Sequence, residues 1–237
     1  MGFPLRYLQV SLDLPNDDHQ CQAFNRYMSE LLPLFSERPW PGWDLFLAAR
    51  HTPGRDSSSH PDDPAVKTYL HLWSVRDYNS LPYIMELFDD SEIYHNLDAL
   101  VSREVQDFTQ ALPYNPQSEN PSFTVPANAR YFLKVTFNVV TDPTALTAFD
   151  SFMNRCVDQA SSPMTATFGW NFVSGTYSQT GLLRRYIHIW STHLSLPDPA
   201  ASVTWLTSQP EVKGALNPGV SGNPEWDLWE PVSYKES

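Results

Sequence analysis

Cysteine is scarce in this chain: Cys21 and Cys156 are the only two among 237 residues. So few thiols argue against a disulfide scaffold and fit a reducing cytosol. Each is expected in a helical core, with a bond between them as the alternative. Basic residues are also short, 15 against 27 acids, leaving a net charge of −12. An acidic surface repels phosphate backbones and anionic bilayers, so nucleic acid and membrane are not the expected partners. No run approaches the roughly 20 apolar residues of a membrane helix. The opening MGFPLRYLQVSLDL has no basic stretch ahead of a long apolar one, so it does not read as a secretory signal. Arg6 stands where a myristoylation motif asks for Ser or Thr. The expected setting is cytoplasmic. Walker A, GxGxxG and CxxC motifs are missing, and Val173-Ser174-Gly175 lacks the context of a nucleophile elbow. His51, His60, Asp62 and Asp63 share one loop without metal-ligand spacing, so a solvated loop and no metal are expected.

Aromatic side chains, in contrast, are plentiful. Phe, Trp and Tyr make up 14% of the chain, within a hydrophobic share of 41%. That suffices for a core and leaves rings to wall a small-molecule pocket.

The chain repeats itself. Tyr69–Ser74 (YLHLWS) returns as Tyr186–Ser191 (YIHIWS), with both differences aliphatic swaps. The flanks follow in order. Leu8–Leu14 matches Leu133–Val139 in its alternation, Trp43-Asp-Leu-Phe matches Trp170-Asn-Phe-Val, and Gln106–Tyr114 matches Trp226–Tyr234. The first copy is assigned to residues 1–114 and the second to 130–237. Residues 115–129, rich in proline and polar side chains, read as an extended linker.

Each copy reads strand, helix, strand, strand, helix, strand. In the first the elements are expected at 5–14, 18–36, 43–50, 67–75, 80–88 and 103–112. Asn16 and Asp17 offer a cap to the first helix, Ser80 and Pro82 an opening to the second. In the second copy they fall at 130–140, 142–159, 166–176, 184–192, 199–208 and 225–232, with Asp142-Pro143 as cap and first turn. The polar ββ connection at 51–67 is a surface excursion or a lid.

A βαββαβ unit is a ferredoxin-like split βαβ, an α+β fold with helices on one sheet face. Its other face must also be buried, and a second copy can do that. Two tandem copies in this order resemble the dimeric α+β barrel superfamily in its fused, single-chain form. The resemblance implies one closed, ligand-holding barrel, working as a monomer or homodimer on a small-molecule substrate. It also implies a choice of chemistries: polyketide-type cyclases, lyases, isomerases and cofactor-independent monooxygenases. Haem-binding relatives resembling chlorite dismutase and dye-decolourising peroxidase imply an alternative, with His71 or His188 as iron ligand. A non-catalytic binding protein is a third reading.

Strand alternation groups Tyr69, His71 and Trp73 against Leu70 and Leu72, and Tyr186, His188 and Trp190 against Ile187 and Ile189. The aliphatic sets are expected under the helices and the Tyr/His/Trp sets in the barrel interior. The polar sets Gln9, Ser11, Asp13 and Lys134, Thr136, Asn138 are placed there too. His71 with Asp13 and Tyr69 forms the expected acid–base group, because imidazole titrates near neutrality. Trp73, His188, Tyr186, Trp190, Lys134 and Arg50 are the expected substrate contacts. Either histidine taken singly also has a structural reading, its ring bonded to backbone or Tyr. Lys134 is paired, with Asp13 as one partner, or binds ligand, unless it faces outward. A cofactor-free cyclase or related lyase/isomerase of specialised metabolism is the expected function.

Overall fold

The computed structural model describes residues 5–37, 43–52, 63–76, 82, 92–157, 162–216 and 222–234. The chain forms two compact units. Unit 1 comprises Met1–Pro53, Asp62–Thr109 and Pro231–Ser237; unit 2 comprises Gly54–Pro61 and Gln110–Glu230. The C-terminal segment thus returns to the unit built by the first copy.

In unit 1, β1 (Arg6–Pro15), β2 (Trp43–His51) and β3 (Val66–Val75) form antiparallel pairs with β3 in the middle. Helix α1 (Asp18–Glu37) follows β1. Asp17 caps it, its Oδ1 accepting from Gln20 N–H at 3.0 Å, which satisfies one of the first-turn donors. Helix α2 (Glu92–Leu100) leads into β4 (Arg103–Ala111), whose last two residues belong to unit 2. The helix expected at 80–88, with its Ser80 cap, lies outside the described residues apart from Pro82. So does the 53–62 part of the 51–67 loop, with His60 and Asp62.

Unit 2 orders its strands β8-β5-β7-β6, where β5 is Tyr131–Val140, β6 Asn171–Thr180, β7 Leu183–Thr192 and β8 Glu225–Pro231. Its helices are α3 (Pro116–Glu119), α4 (Pro143–Val157), α5 (Pro163–Phe168), α6 (Pro199–Ser208) and α7 (Pro210–Ala215). Asp142 caps α4 through Ala145 N–H at 2.9 Å, with Pro143 in the first turn. Two expectations need correction here. The strand expected at 166–176 begins only at Asn171, because residues 163–168 coil into α5. Gly169 ends that helix at φ 72°, the left-handed geometry a C-terminal cap requires. The expected extended linker is partly helical and partly buried. Asn115 is fully buried, caps α3 and donates from Nδ2 to Gly175 O at 3.0 Å.

The faces of the sheet are the main correction. In β1–β3 pairing, Val10 stands opposite His71, Leu8 opposite Trp73 and Leu12 opposite Tyr69. Partners directly opposite share a face. The aromatic set therefore lies with Leu8, Val10 and Leu12, and all pack against Phe24, Tyr27, Met28, Leu31 and Phe35 of α1. Gln9, Ser11 and Asp13 lie opposite Leu72, Leu70 and Thr68 on the other face. Unit 2 repeats this: Leu133, Val135 and Phe137 oppose Trp190, His188 and Tyr186, against Phe149, Phe152 and Met153 of α4. The rings fill the space between sheet and helix, as a close-packed core requires. Cys21 and Cys156 are both buried and free. No described helix is long and apolar enough to cross a membrane.

Candidate functional site

Each unit holds one histidine in an aromatic box between sheet and helix. His71 stacks on Phe24 of α1, with ring centroids 6.0 Å apart and 13° between planes. His188 stacks on Phe149 of α4 at 6.2 Å and 21°. Both rings are buried. The Nε2 of His71 is 2.8 Å from the hydroxyl of Tyr234, and the Nε2 of His188 is 3.2 Å from that of Tyr114. Each tyrosine meets its histidine edge-on. These tyrosines come from segments that follow a last strand. Tyr114 ends the first copy and serves unit 2; Tyr234 ends the second copy and serves unit 1.

Burial sets the charge state. Desolvation lowers both imidazoles to about 3, so both are neutral at physiological pH. Burial likewise raises the phenols of Tyr114 and Tyr234. A neutral ring has one donor nitrogen and one acceptor. Either Nε2–H donates to the phenol oxygen and frees the phenol proton, or Nε2 accepts that proton. In unit 2 the Nδ1 of His188 is buried and has no partner among the described residues.

Unit 2 extends the pair. Tyr186 lies beside His188, its rings 6.1 Å apart, and Arg184 Nη1 donates to its hydroxyl at 3.5 Å. Asp150 of α4 bonds to Tyr186, and burial raises its carboxyl above the usual range. Its Oδ1 is buried without a partner among the described residues. Tyr114 and Phe172 also line a groove of about 630 Å³. The groove is completed by Pro116 and Glu119 of α3, by Asn120 and Phe123, and by Asn154, Arg155 and Val157 on α4. Arg155 is held by Glu211 at 2.9 Å.

The residues expected from the sequence are only partly brought together. Tyr69, His71 and Trp73 share one box. Arg50 stands opposite Tyr69 and bonds its hydroxyl, which burial pushes up to about 12. Asp13 is not with them. It lies on the other face, accepts from Thr68 Oγ1 at 2.7 Å and faces Arg103 at 3.8 Å. Tyr186, His188 and Trp190 share the second box. Lys134 is separate from it and pairs with Asp227 at 3.5 Å, not with Asp13. The sequence reading missed Tyr114, Tyr234 and Asp150. The first two carried a signal, since they close the aligned repeat at equivalent positions. Asp150 carried none, because Asn25 stands in the matching place on α1.

No protein-family model matches the chain, and no curated protein sequence matches it. Solved structures do. One, provisionally named a monooxygenase, is from Lactobacillus acidophilus NCFM. It is 10% identical with a TM-score of 0.51, over 97% of this chain and 94% of that one. A second with the same provisional name, from Fusobacterium nucleatum subsp. nucleatum, is 11% identical at 0.51 over 98% and 94%. A third, provisionally named a chlorite dismutase, is 14% identical at 0.52 over 98% and 96%. At these identities the likeness speaks for the fold, and it spans both copies. The chain has an α+β fold of the dimeric α+β barrel type, with its two copies in tandem in one chain.

Proposed function

We propose that the chain is an acid–base enzyme of the cyclase, lyase or isomerase class. Its substrate is a small, largely apolar molecule bearing carbonyl oxygens, bound in the groove of unit 2. The observation that carries this reading is Tyr114, which lines the groove and bonds to a buried, neutral histidine behind it. In the tautomer with hydrogen on Nε2, His188 donates to the phenol oxygen. The phenol proton is then directed at a substrate carbonyl, where it stabilises a developing enolate. Glu119 is the carboxylate in the groove lining and takes the proton from the adjacent carbon. Phe172, Phe123 and Val157 give the apolar walls that hold a folded chain. Proton transfer needs nothing beyond these side chains, so turnover is expected to survive dialysis against a chelator. A loss of activity that a divalent metal restores would overturn that.

Haem is the alternative that the resemblance raised. His71 and His188 do not fit it: each Nε2 already meets a tyrosine hydroxyl, and aromatic rings enclose both. A second reading has its own support. The same His–Tyr pair stands in both units, as expected of a packing device in a non-catalytic binding protein.

Exchange of the methyl protons of acetophenone for deuterium, followed by NMR, separates the two. Wild type is expected to accelerate exchange over buffer, and Tyr114→Phe to reduce that acceleration by about 10²-fold. Exchange no faster than in buffer, or unaffected by Tyr114→Phe, would leave the binding reading standing.

A further inference from the structure

The sheet face of unit 2 that turns away from α4 carries a second polar group, unused by the proposed acid–base site. Lys134 on β5 stands opposite Asp227 on β8, with Nζ 3.5 Å from Oδ2. Its ammonium also sits over the Trp229 ring, 5.7 Å from the centroid. Around them on this face are the buried hydroxyls of Thr136, Ser191, Ser174 and Thr176. The Asp227 side chain is 2% exposed and that of Lys134 12%.

This is poor construction for stability alone. A charge-assisted N–H···O bond closes to about 2.7–2.9 Å, and at 3.5 Å this pair gains less. The desolvation cost of burying two ions is offset only when their geometry is excellent, and apolar replacements often serve as well or better. In the first copy Gln9 stands at the position matching Lys134 and Asp107 at that matching Asp227, so the amine is particular to the second copy. What the arrangement does provide is an amine beside a proton acceptor, on a lysine side chain that keeps some exposure while its partner is buried. Burial also lowers the Lys134 ammonium from its ordinary range, opposed by Asp227.

We infer that Lys134 is a carbonyl-capturing lysine, forming an imine with small aldehydes, with Asp227 as its proton acceptor. The ammonium passes one proton to the Asp227 carboxylate. The freed nitrogen lone pair attacks the aldehyde carbon as the C=O π bond breaks towards oxygen, and a proton passes from that nitrogen to the oxygen, giving a carbinolamine. The nitrogen then expels that hydroxyl, which leaves as water with the proton returned by Asp227, and a C=N bond remains. No oxidant or reductant is consumed.

The test is reductive trapping of the full chain with benzaldehyde and cyanoborohydride, which delivers hydride to the imine carbon, followed by peptide mapping. The competing amines are Lys67, Lys213, Lys235 and the N-terminus. Labelling at Lys134 is expected to exceed that at Lys213, an exposed lysine, by at least about tenfold. Equal labelling, or none at Lys134, would overturn the inference, and this comparison needs no variant to fold. Asp227→Asn supplies a second readout. Without the carboxylate the amine is neutral at lower pH, so the midpoint of the trapping profile is expected to move to lower pH. An unmoved or upward-shifted midpoint would remove Asp227 from the assignment. Failure of either arm leaves the Tyr114 reading untouched, because that site lies on the opposite face of the sheet.

Discussion

At the scale of single residues, the two histidines make stability sensitive to acid. Each is held near 3 in the fold by desolvation, against about 6.5 in an unfolded chain. Between those values the unfolded chain binds more protons, so stability rises with pH. The contribution is complete above about 6.5 and is lost as pH falls towards 3. At pH 5 each histidine is expected to cost roughly 2 kcal/mol relative to neutral pH. Urea melts at pH 7 and pH 5 should therefore diverge strongly for wild type. For His71→Phe or His188→Phe the gap should shrink by about that amount. An undiminished gap would place the acid sensitivity elsewhere. Tyr234→Phe removes the partner of the His71 Nε2, and a buried group so orphaned costs about 1–3 kcal/mol. That loss should appear in melting temperature, with the acetophenone exchange assigned to unit 2 left in place.

At the scale of elements, β6 shows how closely its strand is fitted to the box. A Cβ added at Gly175 would stand 2.7 Å from Phe172 Cζ, 3.1 Å from Leu112 Cδ1 and 3.4 Å from His188 Cδ2. Phe172 has little room to yield, being packed on Trp190 at 4.8 Å and His188 at 5.7 Å. Gly175→Ala is expected to destabilise by about 1–3 kcal/mol through overpacking and to shift the imidazole resonances of His188. Unchanged stability and resonances would mean that the strand can bow outward. Strand β6 also marks where sequence reading reached its limit. Alternation identified β1, β3, β5 and β7 closely, since YLHLWS and YIHIWS repeat in strand period. It could not tell which face met a helix, because both sets in β3 are apolar enough to be buried. Only pairing Val10 with His71 settles that, and register is a tertiary property. The start of β6 was misplaced for a local reason. Thr165, Thr167 and Phe168 favour strand in isolation, while Ser162-Pro163 and Gly169 bound a short helix. The histidines were legible by their repetition. Their partners were not recognised, because Tyr114 and Tyr234 act on the unit that the other copy builds.

At the scale of the whole chain, that exchange makes each copy incomplete alone. The first copy carries Tyr114 but lacks Tyr234, and the second the reverse. Cutting between Ala127 and Asn128, in an exposed turn, gives two fragments that each miss the tyrosine facing their histidine. Neither is expected to melt cooperatively, whereas the mixture should, with a melting temperature that rises with fragment concentration. Cooperative melting of a lone fragment would show that the exchanged segment is dispensable.

The residues between the copies then do more than connect them. Two separate chains would have to find each other before either histidine met its phenol, and dilution would undo them. A short tether replaces that encounter with an intramolecular one, at an effective concentration in the millimolar range. Completion of both His–Tyr pairs becomes a first-order event, independent of how many copies of the protein a cell contains. The linker ahead of β5 is in this sense a concentration device. It lets the fold be assembled at an abundance where a two-chain version would remain as halves.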